Sequence, residues 1–164
     1  MLLCLQPSFA THSADQFEGL TMWRVLGLAI VALLFGYGLI RIGVGALLLA
    51  QSVDLIHVTD LADAIAEVKR FTEARADKEL VSFSVSGYSV YIMVMGLLLA
   101  AGAAGVFCYK RWGFILLGLY LSMHAALFVN YQEINPKLIT LALQIVMLIV
   151  LVYLRPPRST VSVA

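Results

Sequence analysis

The sequence predicts an all-α integral membrane protein: a four-transmembrane-helix bundle with an extracytoplasmic amphipathic helix between spans 1 and 2. Three observations predict it. First, 62% of the 164 residues are hydrophobic and only 13% are charged, whereas soluble domains are about half apolar and about a quarter charged. Second, the apolar residues gather into four runs, 23–50, 88–109, 112–131 and 137–154. Each is expected to be long enough to cross a hydrocarbon core of ~30 Å at ~1.5 Å per helical residue. Third, none of the runs shows strand alternation, and a helix satisfies its own backbone groups in lipid.

The elements follow in chain order. Residues 1–22 form a polar N-terminal segment that lacks the basic leader of a signal peptide. Met22 offers an alternative start just before Trp23 and Arg24. The first span covers 23–50. The long loop 51–87 contains a predicted helix, Asp60 to Glu79, in which Leu61, Ile65, Val68 and Phe71 recur at spacings of three and four and make one apolar stripe. Thr59 or Asp60 is expected to cap it, and Asp60 and Asp63 suit the positive end of its dipole. This stripe is expected to lie on the bundle or the outer headgroups; docking on a partner protein is the sharper alternative. Val81, Phe83 and Val85 then alternate with Ser82, Ser84 and Ser86, predicting extended chain or a short strand into Gly87. The remaining spans are 88–109, 112–131 and 137–154, followed by a tail at 155–164.

Basic residues orient the bundle. Arg24, Lys110, Arg111, Arg155 and Arg158 all flank span ends on the side that carries both termini. Cytoplasmic loops hold the excess of basic residues close to spans. Both termini are therefore expected in the cytoplasm, with a bacterial inner (plasma) membrane as the expected location. Small residues at helix spacing are expected to pack the spans: Gly36 and Gly43 in the first, Gly96, Ala100 and Ala104 in the second, Gly118 and Ser122 in the third. Such stripes let helices approach closely where no hydrophobic effect acts between them. The last run, from Val146 to Leu154, is bulky nearly all round and is expected to face lipid or a partner.

Away from the span ends, Arg41 is the one charged residue in the four runs. A charge at membrane depth costs at least ~2.5 kcal/mol and marks a candidate functional site. Counted by helix rise, Arg41 lies ~15 Å, and His124 and Gln144 ~10 Å, below the outer ends of their spans. The three are expected at similar depth in the outer half, with Thr140 one turn from Gln144. Such a set would bind an anionic group through the planar guanidinium fork. No span contains an acidic residue to neutralise it.

Other chemistry has little support. Ser122 and His124 are two apart on a helix and diverge, Cys108 belongs to the opposite end from His124, and Met93 and Met95 point to opposite faces. No metal and no cofactor are expected. A net charge of +1 argues against a nucleic-acid partner. The expected function is that of a non-catalytic accessory or assembly subunit of a membrane complex. Its expected partners are membrane lipids and other membrane-protein subunits or further copies of itself. The alternative is a small oligomeric transporter, channel or lipid- and anion-binding protein built on Arg41.

Overall fold

The computed structural model describes residues 10–132 and 136–156, with side chains from Met22 onward except that of Lys137. The first nine residues, most of the 132–136 turn and the tail with Arg158 lie outside the described residues. The described residues form five helices: α1 (Ala10–Ser52), α2 (Thr59–Glu73), α3 (Val85–Phe107), α4 (Arg111–Tyr131) and α5 (Lys137–Leu154). No strand occurs among the described residues. Met22–Ser52 of α1, α3 and α4 are each long and apolar enough to cross a membrane. α5 is a shorter apolar helix of 18 residues.

Local chemistry explains the boundaries, including those that differ from expectation. α1 begins at Ala10, inside the segment expected to stand apart, because no proline interrupts the chain between Ala10 and Met22. Its 31-residue apolar stretch is ~46 Å long, which exceeds a ~30 Å core and requires tilt or projection. α3 starts at Val85, ahead of the expected span. Ser84 is extended there, and its Oγ accepts the Gly87 N–H at 3.1 Å, satisfying one of the free donors of the first turn. The alternating 81–86 stretch is therefore no strand. Ser82 to Ser84 is non-helical chain that ends in a cap.

Neither Thr59 nor Asp60 caps α2. The cap position is Val58, whose side chain has nothing to offer, and its N–H instead donates to Gln51 Oε1 at 3.0 Å. The helix ends at Glu73, short of Glu79. Leu61, Ile65, Val68 and Phe71 are all half-buried. Phe71 meets Tyr131 edge-on with ring centroids 5.3 Å apart, and the Arg75 guanidinium lies over the Phe71 ring at 3.9 Å from its centroid. At least this member of the stripe packs on its own bundle.

The core sits between α1 (Ile30, Val31, Leu34), α3 (Met95, Leu99, Ala103, Val106), α4 (Leu117, Tyr120) and α5 (Leu151). Bare backbone makes the α1–α3 seam. A Cβ on Gly38 would lie 2.7 Å from the Ala100 nitrogen, one on Gly96 would lie 2.8 Å from the Gly38 oxygen, and one on Gly45 would lie 2.9 Å from the Ser89 oxygen. α3 and α4 close in the same way, where a Cβ on Gly113 would meet the Val106 nitrogen at 2.5 Å.

Of the small residues expected to pack the spans, Gly96 and Ala100 lie in this seam and Ala104 is half-buried. Gly36, Gly43 and Gly118 have nothing within 4 Å of a Cβ position. Ser122 is exposed and donates to the Gly118 carbonyl at 3.0 Å. Among the described residues, these four pack against no other helix. The physical reason is rotation about the helix axis: residues two apart, such as Gly36 and Gly38, point about 200° apart.

α5 is held at its end by Arg155, which is only 7% exposed. Its Nη2 donates to the Phe107 carbonyl at 3.3 Å, and its guanidinium lies 4.4 Å from the Tyr109 ring centroid. Its stem covers Gly27 of α1. One side chain thus joins α1 at Gly27 to the ends of α3 and α5.

Candidate functional site: a polar cluster at mid-span

Among the described residues, the buried positions of α1 are Gly27, Ile30, Val31, Leu34, Gly38, Gly45 and Leu48, a stripe at helical spacing. Arg41 falls on the edge of that stripe between Gly38 and Gly45, so its side chain is directed toward the bundle. Nη1 meets Met95 Sδ of α3 at 3.5 Å, and Nη2 donates to the Tyr37 hydroxyl at 3.2 Å. Tyr37 precedes Arg41 by one helical turn. The guanidinium also sits 5.0 Å from the Tyr37 ring centroid and 5.7 Å from that of Tyr120 on α4.

Met95 and Tyr120 lie near the midpoints of α3 and α4, ~15 Å from either end by helix rise. Arg41 is therefore central in the bundle rather than in its outer half. The ~15 Å counted from Ala50 is itself about half of a ~30 Å core, so it is the outer-half placement that does not hold.

These contacts are weak for a cation. A thioether is a poor acceptor and a guanidinium has five N–H donors. Aromatic faces contribute roughly 0.5 to 2 kcal/mol each, comparable with the ~2.5 kcal/mol or more that the charge costs at this depth. No acidic residue occurs in any of the four long apolar runs.

His124 and Gln144, both at least nine-tenths buried, face each other across α4 and α5, with His124 Nδ1 3.0 Å from Gln144 Oε1. A carbonyl oxygen only accepts, so Nδ1 carries the proton. The imidazole stacks on Phe128 at 5.7 Å and lies 5.9 Å from Tyr120. Gln144 approaches the Tyr120 hydroxyl, which is buried and makes no hydrogen bond of good geometry. A void of about 10 Å³ lies between Leu34, Leu99, Tyr120, Gln144 and Leu148, room for about one water.

The sequence-derived set is thus brought together only in part. His124 and Gln144 pair directly, and Arg41 reaches them through Tyr120. Thr140 is exposed and stands outside the cluster. Tyr37, Met95 and Tyr120 were not singled out as site residues. Tyr37 was findable, since i and i+4 share a helix face; Met95 and Tyr120 come from other helices and carry no local mark.

A second polar feature is structural. Asn130, at the end of α4, accepts the Val81 N–H at 2.7 Å through Oδ1 and donates Nδ2 to the Val81 carbonyl at 3.1 Å. Its own carbonyl accepts the Leu80 N–H at 3.1 Å. The strap between α2 and α3 is therefore clamped to the bundle.

Chemically, the cluster offers hydrogen bonding and positive charge. Ser122 bonds its own helix and Cys108 is exposed at the far end of α3, so neither is set beside His124. Among the described residues, no three His, Cys, Asp or Glu side chains converge as metal ligands. Compared with protein-family models, curated proteins and solved structures, the chain matches none.

Proposed function

We propose that this chain is a non-catalytic accessory or assembly subunit of a membrane complex. In this reading α5 is the fourth span, both termini face the cytoplasm, and the membrane is a bacterial plasma membrane. The gathering of Arg155, Phe107 and Tyr109 beside the Lys110–Arg111 turn supports one basic, interfacial end. α2 then lies on the extracytoplasmic side, held by Phe71 and by the Asn130 clamp on the strap that follows it.

The observation that carries the function is the closure of the mid-span cluster. His124 and Gln144 meet each other at 3.0 Å, and the gap beside Gln144 takes about one water. That suits a structural core better than a substrate path. Meanwhile Gly36, Gly43, Gly118 and Ser122 leave close-approach surfaces open on α1 and α4.

Gentle extraction from native membranes, cross-linking and mass measurement test this. The expected result is a stable complex with another membrane protein or with further copies. A monomer that brings no partner would sink the proposal. One observation favours the alternative, an anion transporter or lipid-binding protein: the weak partners of Arg41. In that case Arg41→Ala abolishes anion flux in vesicles and leaves assembly unchanged.

A further inference from the structure

We infer that Arg41 is the docking point for a carboxylate carried at mid-membrane depth by a helix of a partner protein. This rests on the accessory-subunit reading and names the chemistry of the partner. Four observations carry it. Arg41 is central along the bundle, with Met95 and Tyr120 at the middles of their helices. Its partners among the described residues are a thioether, one hydroxyl and two ring faces, which leaves guanidinium donors over. The chain's own apolar runs hold no acidic residue. Finally, Tyr37, which holds Nη2, is 38% exposed, so the cation is positioned next to the surface of α1 that a neighbouring helix would meet.

The other occupants fit less well. A lipid phosphate lies ~15 Å away along the helix, beyond the reach of an arginine side chain. A second copy brings another cation and no carboxylate in its apolar runs. The void by Tyr120 and Gln144, at about 10 Å³, is too small for a free anion larger than water. A carboxylate on a helix takes two parallel N–H bonds from a guanidinium, and its own burial in lipid is relieved by the same contact. Each partner's lone charge thus makes separation unfavourable and association specific.

The test reconstitutes the full chain in phosphatidylcholine vesicles with a polyleucine probe helix carrying a single central Glu, Gln or Leu. Association is read by energy transfer between labels. The Glu probe is expected to bind about tenfold more tightly than the Leu probe, with Gln between them. Arg41→Leu should erase the preference while helical content and thermal midpoint hold, because it removes an unneutralised charge. Arg41→Lys should keep part of the preference, having the charge without the fork.

Equal binding of Glu and Leu probes overturns the inference, as does a preference that survives Arg41→Leu. So does loss of the preference on adding phosphatidylglycerol, which assigns Arg41 to headgroups, or self-association of the chain alone that Arg41→Leu abolishes. Native membranes separate this idea from the reading beneath it. A co-purifying partner that Arg41→Leu still retains leaves the accessory role standing and overturns the docking point. A partner lost with Arg41→Leu supports both, and absence of any partner overturns both.

Discussion

α1 carries two pairs of glycines at the same seven-residue spacing, and they meet opposite fates. Gly38 and Gly45 press against the backbone of α3, where a single added carbon would stand 2.7 to 2.9 Å from main-chain atoms. Gly36 and Gly43 have nothing within 4 Å. The two pairs are offset by only two residues, which turns them to nearly opposite sides of the helix. Spacing alone therefore marks a surface capable of close approach, without saying whether this chain or another fills it. The buried pair brackets Arg41, so the packing that makes the seam also sets the depth and direction of the only mid-span charge.

Breaking the comparison is direct. Gly38→Leu is expected to drive α1 off α3 at a cost of about 3 kcal/mol or more, because the Ala100 nitrogen and the Gly96 oxygen that crowd it are backbone and cannot turn aside. In mild detergent it should aggregate or melt well below the parent in a thermal scan. Gly43→Leu should stay within about 0.5 kcal/mol of the parent. A comparable loss from both would mean that the two faces are equivalent, contrary to the seam described.

The comparison sharpens at a site that no spacing rule marks. Asn130→Ala removes both side-chain bonds to Val81 and strands its N–H, an expected loss of roughly 2 kcal/mol. Hydrogen exchange should accelerate at Leu80 and Val81 and remain slow in the α1–α3 seam. Uniform acceleration throughout the bundle would instead make Asn130 part of the global core.

The smallest effect concerns the buried pair. A double-mutant cycle with His124→Leu and Gln144→Leu should give a coupling of about 0.6 kcal/mol in lipid or detergent, the typical strength of a hydrogen bond between membrane helices. Zero coupling would mean that the 3.0 Å contact contributes nothing to holding α5. Such a result would leave Arg155 as the principal tie.

Much of the fold was legible before any coordinate. Long apolar runs without strand alternation lead to helices, and the three long apolar helices appear where the runs are. The α2 helix was legible from its spacing of three and four. Its cap was not, because Val58 takes the cap position and its own N–H donates to Gln51, seven residues earlier. The pairing of His124 with Gln144 was foreseeable from matched depth. Met95 and Tyr120 around Arg41 were not, since each is an ordinary apolar or aromatic residue until another helix rotates it into place. Thr140 shows the converse error: sharing a face with Gln144 across one turn did not bury it, because the bundle covers only part of α5.

By itself the sequence determined the solvent, the helical class, the single charge deep in an apolar run and the lack of a carboxylate to meet it. These are properties of composition and one-dimensional spacing, and bilayer physics acts on them directly. Only the tertiary structure decided which glycines face α3, that Arg41 rests between two tyrosines and a methionine, and that Arg155 and Asn130 tie the ends. Those outcomes depend on the rotation and level of each helix relative to the others. Close packing between backbones sets both, and no single helix encodes them.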